Sequence, residues 1–250
     1  MSTAASTAFS SANIVRVIVS IGVPTATASE RVSSGCGIRA RTSGLVRAEG
    51  VDIDAVAVAH ALRDAAPDTV VHCAGSTAAD PAALAANNLV AVGNLVDAML
   101  TAGRTLRLVQ LGSVAEYGRI PAGVAVPEDA PERPVTPFGL TKLAATHLVR
   151  TAAAAGLDAV TLRVTTPIGP DAPTSTLAGR VACQLRRIET AGGGGITTGP
   201  LDDVRDYVDV RDVADAVVAA ALRLTDAPDV ATFRSVALGR VLALARAQTL

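Results

Sequence analysis

The stretch that decides the fold runs from Pro67 to Ser113, "PDTVVHCAGSTAADPAALAANNLVAVGNLVDAMLTAGRTLRLVQLGS". Two short apolar runs stand at its ends, TVVHCAG (Thr69–Gly75) and LRLVQLGS (Leu106–Ser113). Both have strand length and are rich in Val and Leu. Between them, Asp80 to Gly103 reads as one helix. Asp80 suits the N-cap, Pro81 the first helical position and Gly103 the stop.

The same alternation continues outward. NIVRVIVSIG (Asn13–Gly22) reads as a strand, and Val51–Asp68 as a helix with Ala55, Val58 and Leu62 on one face. Thr136–Gly156 is a helix with Thr136 as N-cap and Pro137 behind it. Leu157–Val164 is a strand, Ser175–Gly192 an amphipathic helix, VRDYVDV a short strand and Arg211–Leu224 a helix. Residues 23–44 have no clear period. Near-continuous apolar strands between helices argue for an α/β fold with a parallel sheet covered on both faces. Ligands then bind outside the carboxyl ends of the strands. Gly75, Ser113 and the start of the 136–156 helix therefore face one crevice.

Composition excludes several classes. Half of the 250 residues are hydrophobic, which suffices for one large core or two small ones. With no Trp, two Tyr and three Phe, there is no stacking surface for single-stranded nucleic acid. A net charge of −1 gives no pull towards nucleic acid or an anionic membrane. No apolar run is expected to reach membrane-spanning length. Cys36, Cys73 and Cys183 form neither a disulfide framework nor a zinc spacing, and His60, His72 and His147 form no metal pattern. A reducing, cytoplasmic setting fits. Residues 1–29 are rich in Ser, Thr and Ala without acids, faintly like a transit peptide; a disordered tail over 1–12 is the preferred reading.

Six segments, in order, resemble the extended short-chain dehydrogenase/reductase family of nucleotide-sugar epimerases, dehydratases and 4-keto reductases. They are PDTVVHCAG, NLVAVGNLVDAM, LVQLGSVAEYG, VPEDAPERPVTPFGLTK, LRVTTPIGP and VRDYVDVRDVADA, and the likeness covers Val51 to Leu222. The resemblance implies a Rossmann-like, doubly wound sheet over 13–165. It also implies a small, truncated substrate-binding region over 166–250, interleaved with the first. NAD or NADP is the implied cofactor, held by Asp52, Ile53, Ala74, Gly75, Asn88, Lys142 and Val164. Asp52 reads equally as a helix N-cap. A nucleotide sugar is the implied substrate, held by Ser113, Thr166 and Arg205. Arg205 suits a diphosphate, because a guanidinium matches its oxygens, or a salt bridge with Asp203 or Asp206. Homodimerisation through the 80–103 and 136–156 helices is a family habit.

In the family a tyrosine is the acid/base at a carbon–oxygen bond, a lysine four residues on lowers its pKa and holds ribose, and a serine bonds the reacting oxygen. Here Ser113 and Lys142, the chain's one lysine, are in place, 25 residues separate Ser113 from the tyrosine position, and that position is Phe138. Positions 138 and 142 share a helix face and are expected to point into the same crevice. Phe138 has no proton to give, and losing a positioned acid costs about 10²- to 10⁴-fold in rate. Three readings stay open: a reductase taking its proton from Ser113, water or substrate; a nucleotide binder without turnover; or a decayed enzyme. Phe138 also reads simply as filler in a first helical turn. Tyr117 is the minority candidate for the missing acid, and Tyr207 reads as core.

Sugar 4,6-dehydratases of the family carry an acidic pair directly after the serine. Here Val114 and Ala115 stand there, and Glu116 reads as a loop or strand-edge residue one place too late. A keto reductase or epimerase remains, with a polyketide ketoreductase as a close variant. A GC-rich bacterial usage would suit deoxysugar or antibiotic biosynthesis. The Gly-rich phosphate turn is degraded: Ile21, Pro24 and Thr27 stand where glycines belong, and Pro24 removes an amide donor. Ser33–Gly37 and the glycine run 192–195 read as connections, not phosphate cradles. Arg39 and Arg41 could meet a 2′-phosphate. The last residues, RSVALGRVLALARAQTL, also leave the family pattern, as a shifted or decayed frame would.

Overall fold

The computed structural model describes residues 17–20, 55–77, 80–121, 124–170, 172–199, 201 and 205–222. The expectations for residues 1–12, the turn at 21–27, the stretch 33–41, Asp52, Ile53, Asp203 and residues 223–250 lie outside it.

Strands β1 (Val17–Ser20), β2 (Thr69–His72), β3 (Arg107–Ser113) and β4 (Asp158–Val164) form one sheet in that order. β1 and β2 run parallel with Val17 opposite Thr69, and β2 and β3 run parallel with Thr69 opposite Arg107. Parallel neighbours need a crossover long enough to hold a helix. Between β2 and β3 it is the 80–103 helix, and between β3 and β4 it is α4 (Pro137–Ala154). All four β2 residues are buried, polar Thr69 and His72 included, as a covered central strand requires. A second, two-stranded parallel sheet joins β5 (Thr166–Ile168) to β6 (Tyr207–Asp209). The fold is α/β and Rossmann-like.

The chain forms two compact units. One comprises residues up to Gln110 with Ala145–Val160, the other Leu111–Ala144 with Thr161 onward. The first holds α1 (Ala55–Ala65) and a core of Leu62, Val70, Val92, Leu95, Met99, Leu108 and Val149. Each such side chain contributes about 1.5–3 kcal/mol on burial. The second holds α5 (Leu177–Ala191) and, against the small sheet, α6 (Val210–Leu222).

The sequence placed the helix ends closely. Asp80 accepts from the amides of Ala82 and Ala83 at 3.2 and 3.1 Å, and Thr136 Oγ1 accepts from Gly139 N at 3.0 Å. Gly192 ends α5 in the left-handed conformation with φ 72°, so the glycine run begins as a helix cap.

Two expectations need amending. The 80–103 helix is not uniform: α2 (Pro81–Ala85) and α3 (Ala91–Thr101) are joined by a π-turn over Ala86–Val90. Pro81–Thr101 is also long and apolar enough to cross a bilayer by length and composition. Its inward face, Val92, Leu95, Val96 and Met99, is packed in the core of the first unit, which is why it is apolar.

Candidate active site

In the first unit, the end of β2 runs into Ala74, buried, and Gly75, half-buried. The loop beyond is fastened by Asn88. Its Oδ1 accepts from Ser76 N at 2.7 Å and its Nδ2 donates to Ser76 O at 3.0 Å. Asn88 sits in the π-turn and is 1% exposed. The extra residue of a π-turn re-aims one side chain without ending the helix. The residue expected to touch cofactor is thus a two-point latch on the β2 loop.

The second unit carries the groups with chemistry. Ser113 ends β3 in extended backbone and caps a 3₁₀ turn, Val114–Glu116. Its Oγ accepts from Ala115 N at 3.2 Å. A hydroxyl has two lone pairs and one proton, so this acceptance leaves the O–H to be donated elsewhere. Lys142, 7% exposed, sends Nζ to Leu111 O at 2.5 Å. An ammonium has three donors. Gly139 packs on the Ala115 carbonyl, where a Cβ would lie 2.5 Å from the oxygen. The first two turns of α4 therefore straddle Ser113, touching β3 two residues before it and the turn two residues after it. The structure thus places Lys142 and Gly139, in the turns bearing Phe138, against the backbone on either side of Ser113. Phe138 itself is half-buried and supplies a ring at the position where the resemblance implies a phenol.

Two neighbouring residues are engaged in the interior. Glu116 lies in the short turn directly after β3. It is fully buried, accepts from Ser113 N at 2.8 Å through Oε1, and pairs through Oε2 with Arg163 Nε at 2.8 Å. The hydroxyl of Tyr117, the minority candidate for the acid, is engaged. It donates to Glu128 O at 3.0 Å and accepts from Arg163 Nη1 at 2.8 Å. The guanidinium also lies over its ring, 4.8 Å from the centroid.

Arg163 was missed by sequence reasoning. It donates further to Glu128 O at 3.3 Å and pairs with Glu132. Burial would lower its pKa, but the bonds to Glu116 and Tyr117 outweigh that and hold it above the ordinary value. The available signal was an arginine inside the apolar run LDAVTLRV.

On the small sheet, Thr166 lies opposite Tyr207, and its amide donates to Asp206 O at 3.2 Å. Thr166 and Arg205 are both exposed; Thr166 opens β5, and Arg205 lies two residues ahead of β6. Val164, half-buried, ends β4. Burial raises the Asp206 carboxyl and the Tyr207 phenol above their ordinary values, the latter against the opposing charge of Arg205. Asp209 is pushed down to about 2 by hydrogen bonds from Arg211. Among the described residues no group of three or more His, Cys, Asp or Glu could hold a metal ion.

A family model, the NAD dependent epimerase/dehydratase family, matches residues 7–232. The chain is 37% identical over 157 residues to the dTDP-6-deoxy-L-talose 4-dehydrogenase (NAD(P)(+)) of Kitasatospora kifunensis, covering 62% of this chain and 49% of that one. It is 36% identical over 181 residues to a UDP-glucose 4-epimerase of Azospirillum brasilense, covering 65% and 51%. A solved UDP-glucose 4-epimerase from Thermus thermophilus, in complex with NAD, superposes with a TM-score of 0.60 at 32% identity, covering 68% and 58%. The chain spans about half the length of the curated relatives it matches.

Proposed function

The chain belongs to the NAD-dependent epimerase/dehydratase family, and from that premise we propose that it is an NAD(P)-dependent reductase or epimerase. Its substrate would be a keto group on a nucleotide-linked sugar, in deoxysugar or natural-product biosynthesis. The observation that carries this is the clasp of α4 around Ser113, with Lys142 on Leu111 O and Gly139 on Ala115 O. Lys142, with three donors, suits the ribose hydroxyls of a dinucleotide. When bound, the reduced nicotinamide would supply a hydride to the carbonyl carbon. Ser113 donates its O–H to the carbonyl oxygen and polarises it. With Phe138 in the tyrosine position, the proton for that oxygen comes from Ser113, from water or from the substrate.

A 4,6-dehydratase is disfavoured. Val114 and Ala115 carry no proton, and the buried Glu116 carboxylate is held by Arg163. An exposed guanidinium at Arg205, close in sequence to the strand opposite Thr166, supports a nucleotide diphosphate as the substrate handle. Val90, Leu100 and Leu140 are exposed on the two long helices and support a homodimer.

The second reading is a nucleotide binder with crippled turnover. Phe138, together with a Tyr117 hydroxyl already spent on Glu128 and Arg163, favours it. Calorimetric titration with NADH and NADPH comes first. Micromolar binding of either is expected, and no binding of either ends the reductase reading. A panel of nucleotide-linked keto sugars then separates a slow enzyme from a binder.

A further inference from the structure

We infer that Glu116 and Arg163 are positioning residues for Ser113. The buried pair fixes the direction of the serine hydroxyl and ties its turn to the loop that leads into Phe138. The inference rests on the reductase or epimerase reading of Ser113.

The bonds around Ser113 close on both sides. Its amide is held by Glu116 Oε1 at 2.8 Å, and its Oγ by the Ala115 amide at 3.2 Å. Backbone and side chain are thus fixed by one reciprocal cap. What remains is the hydroxyl proton, and the cap sets where it can swing. The carboxylate reaches this place because residue 112 is glycine. A Cβ at Gly112 would lie 2.7 Å from Glu116 Oε1 and 2.9 Å from Thr161 Cγ2.

Arg163 then carries the arrangement outward. Its Nε holds Glu116, its Nη1 reaches Tyr117 Oη and Glu128 O, and its Nη2 holds Glu132. One planar fork therefore joins the turn after Ser113 to two points of the loop ahead of Thr136 and Phe138. Gly118, with φ 79°, packs so tightly on Arg133 O that no side chain fits, and closes the same loop. Lysine could not do this, since it lacks the rigid fork.

Stability alone does not call for such a pair. Burying two charges costs several kcal/mol each, and apolar side chains of similar volume often replace a buried pair without loss. Placement is different, because a displacement of about 1 Å at a reacting group can cost about 10²-fold in rate. Glu116 touches Ser113 directly and Arg163 acts through Glu116. Both belong to the support of the hydroxyl.

The test uses the full chain with two variants, Glu116→Leu combined with Arg163→Met, and Glu116→Gln alone. Melting temperature, NADH affinity, kcat and KM on a keto-sugar substrate, and hydrogen exchange over residues 111–118 are measured. We expect the double variant to fold and keep NADH affinity within about threefold, while kcat falls about 10²-fold and KM moves little. Exchange at the Ser113 amide rises at least about tenfold, as loss of a bond to a charged acceptor implies. Glu116→Gln shows smaller changes of the same kind, and in a Ser113→Ala background it lowers kcat no further. Unchanged kcat and exchange overturn the inference, as does an equal loss of kcat, NADH affinity and protection over Leu95–Met99. If the double variant does not fold, the Glu116→Gln and Ser113→Ala pair decides, and additive losses overturn the inference. If wild type has no turnover, the functional reading fails, and exchange at Ser113 still decides the positioning role.

Discussion

At Phe138 a ring stands where the family resemblance implies a proton donor, and ordered groups surround that position. Lys142 still reaches β3 and Gly139 still lies on the Ala115 carbonyl. Ser113→Ala should therefore lower turnover by about 10²- to 10³-fold, the usual cost of one donor to a reacting oxygen, with NADH affinity little changed in calorimetry. Tyr117→Phe gives a different outcome. It removes a hydroxyl bonded to both Arg163 and Glu128, so thermal or urea unfolding should show a loss of about 1–3 kcal/mol. Its kcat should stay within a few-fold of wild type. A kcat loss of about 10²-fold at unchanged stability would restore Tyr117 as the acid. None of this was legible from the letters of LGSVAEYG. The position of Ser113 followed from a strand ending in serine, but the fate of Glu116 and Tyr117 depends on Arg163, 46 residues beyond Tyr117.

At the scale of elements, sequence reading succeeded where the cause is local. Asp80 and Thr136 act on their own helix starts, so these caps could be read directly, whereas Gly192, read as part of a connection, caps α5. The π-turn at Ala86–Val90 could not, because it accompanies the bonds of Asn88 to Ser76, and that contact belongs to the tertiary fold. Asn88→Ala leaves two backbone groups of Ser76 without this partner. We expect a loss of about 1–3 kcal/mol in urea unfolding and faster hydrogen exchange confined to the loop after β2.

The small sheet carries a pH signature. Burial raises the Asp206 carboxyl above its ordinary value of 3.8, against the lowering bond from Tyr207 N. A raised carboxyl lends stability that is fully present below the unfolded pKa and is lost as pH rises through the folded one. Asp206→Asn keeps an acceptor for that amide and cannot ionise. Its melting temperature should exceed that of wild type at pH 7, and the difference should vanish near pH 3. Asp209 has the opposite sign. The Arg211 bonds hold it at about 2, so its contribution is present above the ordinary carboxylate range and fades as pH falls towards 2.

At the scale of the whole molecule, the order of motifs was the strongest signal. Six segments in family order fixed the architecture, and a family match over residues 7–232 agrees. Periodicity could do this because parallel strands are buried on both faces and read as apolar runs. The catalytic outcome was less legible, because it turns on one ring and on a loop joined through a buried arginine. The central claim is that Ser113 and Lys142 still frame a working position from which only the phenol is missing. The most direct measurement is turnover of a nucleotide-linked keto sugar by Phe138→Tyr beside wild type, with NADH affinity recorded for both. We expect the tyrosine to raise kcat by about 10²-fold or more at similar NADH affinity. A wild type that turns over and gains nothing from the tyrosine would contradict the claim.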